Sequence, residues 1–126
     1  MGKLTLNPHI RERKDKPMTL PSFPESADLG SLQAYVSAVC AARGWDQSSD
    51  TEIFLYFTEE VGELAKAIRK RKNWYAEAGK PEKPDNLEEE FADVLSYLLD
   101  LANRMGVDVE KAFREKEEKN RERTWL

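Results

Sequence analysis

From Asp28 onward, apolar residues recur at three- and four-residue steps, the spacing that stacks side chains on one side of an α-helix, and the pattern divides into four segments. The first runs from about Leu29 to Arg43, with Leu29, Leu32, Val36 and Val39 on one face, and stops at RGWDQSSD. The second starts after Ser49 or Asp50, either of which can cap free helix amides, and its stripe is Ile53, Phe57, Val61, Leu64 and Ile68. The third follows Asp85 or Asn86 and carries Leu87, Phe91, Val94, Leu98, Leu101 and Met105 until Gly106 ends it. The fourth begins after the cap Asp108 and points Val109, Ala112 and Phe113 inward. No stretch alternates as a strand would, so an all-α four-helix bundle is expected for residues 28–126.

Residues 1–27 break this rhythm. They hold Pro8, Pro17, Pro21 and Pro24, four of the six prolines, together with the charged cluster RERKDK, and they read as an extended or mobile N-terminal arm. The cluster is a solvated tail or a weak polyanion contact. With 126 residues in all, one domain with a modest core is the expectation.

The acids of the second and third segments stand in a pattern of their own. With each apolar stripe at zero on a helical wheel, Glu60 and Glu63 lie about 60 to 120° to one side of the second stripe, and Glu90 and Asp93 take the same offset on the third. Glu59, Glu88 and Glu89 point farther out. An ExxE pair and an ExxD pair would thus meet at the edge of the core on neighbouring helices. Four converging carboxylates repel, which is relieved by raised pKa values or by bound cations; the plainer alternative is a solvated acidic rim. Oxygen ligands without nearby histidine or cysteine point to Mg²⁺, with Mn²⁺ as a substitute, rather than to zinc or iron. The only histidine, His9, is in the arm, and the Glu-x-x-His motifs of di-iron bundles are missing.

Shared ligation sets a geometric condition. If the second helix ran unbroken to Ala78, the two acid pairs would be about 18 Å apart along antiparallel axes. The helix is therefore expected to end near Lys72 or Asn73, with NWYAEAGKPEKPDN climbing back as a loop.

Beyond Phe113, the inward stripe of the fourth helix meets Lys116, Asn120 and Arg123. These side chains donate hydrogen bonds suited to phosphate oxygens, or they belong to a solvated C-terminal turn. The formal charge of −4 gives a nucleic-acid backbone no general attraction. Cys40 cannot form an internal disulfide and reads as a small core residue. No apolar run approaches the roughly 20 residues of a membrane span, which leaves the cytoplasm as the default location.

The ordered set of EEVGELAKAI, EEEFADVLSYLLDLA, GVDVEKAF and KNRER on successive helices resembles the MazG-like nucleotide pyrophosphohydrolases of the all-α NTP pyrophosphatase superfamily, over about Ser31 to Arg123. The resemblance implies Mg²⁺ held by Glu60, Glu63, Glu90 and Asp93. It implies cleavage of a nucleoside triphosphate to monophosphate and pyrophosphate, with Glu60 or Glu63 orienting the attacking water and Lys116, Asn120 and Arg123 holding the triphosphate. RGWDQ and Tyr97 are similar to the dCTP pyrophosphatase branch, so Trp45 and Tyr97 become candidate walls for the base, although either could equally be core. The chain departs from that branch where Lys70 replaces an expected aromatic, Trp74 coming later, and where an expected histidine is replaced within QSSDTE. The base is therefore left open. The resemblance also implies a homo-oligomer, a dimer or tetramer with sites near subunit contacts. A catalytically inactive nucleotide-sensing or interaction module of the same fold is the alternative.

Overall fold

Each helix starts where a short polar side chain can satisfy free amides. In the computed structural model, which describes residues 18–80 and 84–125, α1 spans Leu29–Arg43, α2 Asp50–Arg71, α3 Leu87–Arg104 and α4 Val109–Arg121. Asp28 opens α1 with a reciprocal capping box, accepting from the Ser31 amide at 2.7 Å. Ser49 accepts from the Glu52 amide at the head of α2, and Asp108 from the Lys111 amide at the head of α4. Gly44, at φ 75°, closes α1 in the left-handed conformation that glycine adopts without a Cβ clash. A short 3-10 helix, Trp45–Gln47, then bridges α1 and α2; the sequence pattern did not suggest it. Most of the proposed arm, including RERKDK and His9, lies outside the described residues, and so does Pro81. Of its described part, Phe23 sets its ring edge-on against Tyr35 of α1, with centroids 5.3 Å apart.

α2 stops at Arg71, with Lys72 as its C-cap, and Asn73 and Tyr75 then take positive φ values of 56° and 57°. The break meets the condition that a shared acid site requires. Arg71 grips Asp85 with two nitrogens, at 2.9 and 2.6 Å, and also reaches Glu88, so the returning chain is clasped to the end of α2. Among the described residues every regular element is helical.

α2 and α3 make the principal contact of the chain, α1 packs on α3, and α4 leans mainly on α1. The face that α3 buries differs from the predicted stripe. Glu90, Tyr97, Leu99 and Asp100 are buried, whereas Phe91, Leu98 and Met105 are 56%, 43% and 59% exposed. At about 100° per residue, Glu90, Val94, Tyr97, Leu101 and Arg104 share an arc of about 80°, in which Val94 and Leu101 of the predicted stripe are half-buried, while Phe91, Leu98 and Met105 of that stripe lie beside it with Leu95. On α2, Ile53 and Ala67 are buried while Val61 of the predicted stripe is exposed. On α4, Val109 is half-buried, but Ala112 and Phe113, expected to face inward, are exposed. A periodic apolar stripe says that a face is to be covered, but not by which chain.

Polar groups lock the far end of the α2–α3 pair. Arg104, with a side chain 12% exposed, donates to Asp100 at 3.1 Å, to the Trp45 carbonyl at 3.1 Å, to Asp50 at 3.2 Å and to the Ser48 carbonyl. Gln33 of α1 bonds the Val107 carbonyl and the Val109 amide, and Asn103 returns a bond to the Gln33 carbonyl at 3.0 Å. The α3–α4 turn is thereby pinned to α1.

Candidate metal centre

Because α2 ends at Arg71 and α3 restarts at Leu87, the middle of α2 faces the first turns of α3. Glu60, Glu90 and Asp93 each bring a carboxylate oxygen to a point where all three lie within 4.8 Å of one another. Glu90 is only 4% exposed, and Glu60 and Asp93 are half-buried. The expectation that the acids would stand at the solvent edge holds for Glu60 and Asp93 and needs correcting for Glu90, which sits within the core. The physical reason is the turn of α3 described above, which buries the acid-bearing arc and leaves the apolar one outside.

The electrostatics are those of crowded anions. Burial pushes the Glu60 carboxyl up to about 7, helped by the close Glu90 carboxyl and by the charges of Asp93 and Glu59. Burial, with Glu90 and Glu89 nearby, also raises Asp93. Glu60 Oε2, Glu90 Oε2 and Asp93 Oδ2 are buried without any hydrogen-bond partner. Orphaned anionic oxygens of this kind are costly unless a cation or proton answers them. One contact does support the group from outside: Asn86 Nδ2 donates to Glu90 Oε1 at 2.8 Å.

The donor set fits a hard divalent ion. Three carboxylates offer it one oxygen each within 4.8 Å of one another, with no histidine or cysteine in the group. Glu63, one turn beyond Glu60 on α2, is exposed and is not part of this close group.

The other candidate residues are divided between two places. Tyr97, one turn after Asp93, is buried with its ring 6.2 Å from that of Tyr56. Burial raises its hydroxyl pKa, and so do the charges of Glu60 and Asp93, which marks it as a wall of the acid cluster. Trp45 lies at the opposite end of α2, before Asp50, about 15 Å of helix from Glu60. Its carbonyl is held by Arg104 and its ring is covered by the Arg43 guanidinium at 5.1 Å. Lys116 is exposed and Asn120 half-buried on α4, whose main contact is α1 rather than the α2–α3 pair, and Arg123 is exposed just beyond its end. Sequence reasoning missed Asn86, Asp100 and Arg104. The signal was present as polar i, i+4 pairs set among apolar neighbours, Asn86 with Glu90 and Asp100 with Arg104.

Comparison with known proteins agrees with this arrangement. Residues 48–125, which contain the acid cluster and all of α2 to α4, match the family model of the MazG nucleotide pyrophosphohydrolase domain. The chain is 34% identical over 107 residues to dCTP pyrophosphatase 1 of Rattus norvegicus, covering 81% of this chain. It spans only 62% to 64% of the length of the curated dCTP pyrophosphatases it matches. Among solved structures it resembles YPJD of Bacillus subtilis, with a TM-score of 0.63 at 29% identity over 80% of this chain and 100% of the other. It also resembles iMazG from Vibrio DAT 722, with a TM-score of 0.54 at 32% identity over 75% of this chain and 99% of the other. A four-helix chain that carries ExxE and ExxD on facing helices, and that matches the family model from the end of the 3-10 bridge to its last described residue, belongs to the MazG nucleotide pyrophosphohydrolase family.

Proposed function

We propose that this protein is a Mg²⁺-dependent nucleoside triphosphate pyrophosphohydrolase, with residues 28–126 as its catalytic unit. The observation that carries the reading is the group of Glu60, Glu90 and Asp93, which bring one carboxylate oxygen each within 4.8 Å of one another and each keep a buried oxygen without a partner. Bound Mg²⁺ would neutralise the phosphate oxygens and make water a better nucleophile at neutral pH.

Glu60, Glu90 and Asp93 would hold the ion, with Glu63 reaching it from one turn along α2. A water oxygen attacks the α-phosphorus, the bond from that phosphorus to the bridging oxygen breaks, and pyrophosphate leaves with the electron pair. Glu60 or Glu63 would orient that water and accept its proton. Tyr97 closes the side of the cleft next to the acids.

Lys116, Asn120 and Arg123 would bind the triphosphate, and Trp45 would wall the base. Both groups stand away from the acids along the chain, which supports a homo-oligomer whose neighbouring copy completes the cleft. Two further observations favour it. Beyond Glu110 every residue of α4 except Asn120 is exposed, and a 13-residue helix is marginal in water without a covering partner. The Phe91, Leu95, Leu98 and Met105 stripe is likewise uncovered. The relatives' dCTP activity makes dCTP the first substrate to try. The free, buried thiol of Cys40 suits a reducing cytoplasm.

The test is a panel of nucleoside triphosphates, dCTP and base-modified dNTPs included, incubated with Mg²⁺ and scored for pyrophosphate release. Turnover of at least one member, abolished by EDTA, is expected. Nucleotide binding without turnover on any of them would favour the inactive sensing module instead.

A further inference from the structure

We propose that Asn86 is a positioning residue for the metal centre: its side-chain amide holds one oxygen of Glu90 so that the other is presented, alone, to the ion. The inference rests on the metal-binding reading above and adds a residue to it.

Asn86 stands at the N-cap of α3, where asparagine ordinarily turns its side-chain oxygen onto a free helix amide. Here it makes no such cap bond, and its backbone, at φ −125° and ψ 44°, is not in the usual extended cap conformation. The capping task has passed to the preceding residue: Asp85 Oδ1 accepts from the Leu87 amide at 3.3 Å while Arg71 holds the same carboxylate in a two-nitrogen grip. Asn86 is thus free to face the other way. Its carbonyl accepts the Glu90 amide at 3.1 Å, and its Nδ2 donates to Glu90 Oε1 at 2.8 Å.

The result is a carboxylate with its two oxygens in different circumstances. Oε1 is satisfied by a neutral donor that costs the site no charge, and Oε2 is buried with no partner, as are Glu60 Oε2 and Asp93 Oδ2 of the same acid group. A ligand rotor with one oxygen tethered loses less freedom on binding an ion than an untethered one, and its free oxygen is already aimed. A residue that only started the helix would have no reason to leave the helix amides for a carboxylate four residues on.

Asn86→Ser separates the two roles. A serine at this position is a good cap in its own right, yet it is too short to reach the Glu90 carboxylate. Mn²⁺ affinity is measured by electron paramagnetic resonance of the free ion, without nucleotide, on the full-length wild type, Asn86→Ser and Asn86→Ala, beside the thermal unfolding midpoint of each metal-free protein. The proposal expects Asn86→Ser to unfold at or above the wild-type midpoint while its Kd for Mn²⁺ is about ten- to a hundredfold weaker, with Asn86→Ala weakened equally. Unchanged affinity in Asn86→Ser overturns it, and so does an affinity loss that tracks a fall in metal-free stability across both variants. If the wild type itself binds no Mn²⁺, the metal centre fails first, and this is visible before any variant is compared.

Discussion

Glu60, Glu90 and Asp93 crowd three acidic groups into a space 4.8 Å across, where water has little access. Each additional charge there costs more than the last, and the Glu60 carboxyl, up to about 7 from an ordinary 4.5, records that cost. The sign of the consequence can be worked through. A folded-state pKa above the unfolded one means that the folded protein holds the proton more tightly. The contribution of Glu60 to stability is therefore full below about 4.5 and is lost as pH rises through about 7. The metal-free protein should accordingly gain stability, through this group, between pH 8 and pH 5, and Glu60→Gln should flatten that dependence in thermal unfolding. Mg²⁺ requires the deprotonated acids, so the rise in unfolding midpoint caused by added Mg²⁺ should follow the opposite course and grow from pH 6 to pH 8. Neutralising a ligand directly, as Asp93→Asn or Glu90→Gln, should lower pyrophosphate release by more than about a hundredfold, beyond the ten- to hundredfold typical of outer contacts, with the helical circular dichroism retained. These three acids, with Glu63, were legible as candidates because an ExxE and an ExxD stand at one offset on two consecutive amphipathic segments. Asn86 was not legible in the same way, because an asparagine before a helix is read first as its cap.

Helices are held in register here by polar clasps at both ends of the α2–α3 pair. At the site end the clasp is Arg71 with Asp85 and Glu88; at the other end it is Arg104 with Asp100, Asp50 and two carbonyls. Their burial separates them. Arg71 and Glu88 are 45% and 80% exposed, whereas Arg104 and Asp100 are 12% and 11% exposed. Exposed pairs are worth about 0–1 kcal/mol, and removing one partner of a buried pair costs about 3–5 kcal/mol because the other is left uncompensated. Arg104→Ala should thus destabilise the protein by about 3 kcal/mol in urea unfolding, and Arg71→Ala by clearly less. Asp100→Asn should recover part of the Arg104→Ala loss. The helix boundaries themselves were readable from the chain, since Asp28, Ser49 and Asp108 are capping residues placed before apolar periods and Gly106 follows one. The 3-10 bridge at Trp45–Gln47 was not, because its three residues carry no local signal and are held by Arg104, which lies 59 residues from Trp45.

At the scale of the whole molecule, the single chain leaves uncovered what its own pattern says should be buried. Val61 on α2, Phe91 and Leu98 on α3, Met105 at its C-cap and Phe113 on α4, all from the predicted inward stripes, are more than 40% exposed, an apolar display that calls for a partner surface. A second copy is the natural cover, since a face repeated in each chain can close by two-fold symmetry. Light scattering after gel filtration should give a mass at least twice the 14.5 kDa of one chain. Leu98→Glu together with Phe91→Glu should shift it toward that value and, if a neighbour completes the cleft, reduce turnover without touching a metal ligand. A monomeric wild type with full activity would refute this picture.

The sequence by itself determined the four helices, their starts and stops, the all-α class and the identity of the acids, because caps, breakers and the 3.6-residue period act over a few residues and are written locally. It also implied that α2 must end near Lys72 for those acids to meet. Only the tertiary structure decided which arc of α3 turns toward α2, and with it that Glu90 is buried, that Asn86 bonds it and that the apolar stripe faces away. That choice depends on the summed contacts of a whole face, the bonds of Arg104 and the packing of Tyr97 included, and no single position along the chain encodes such a sum.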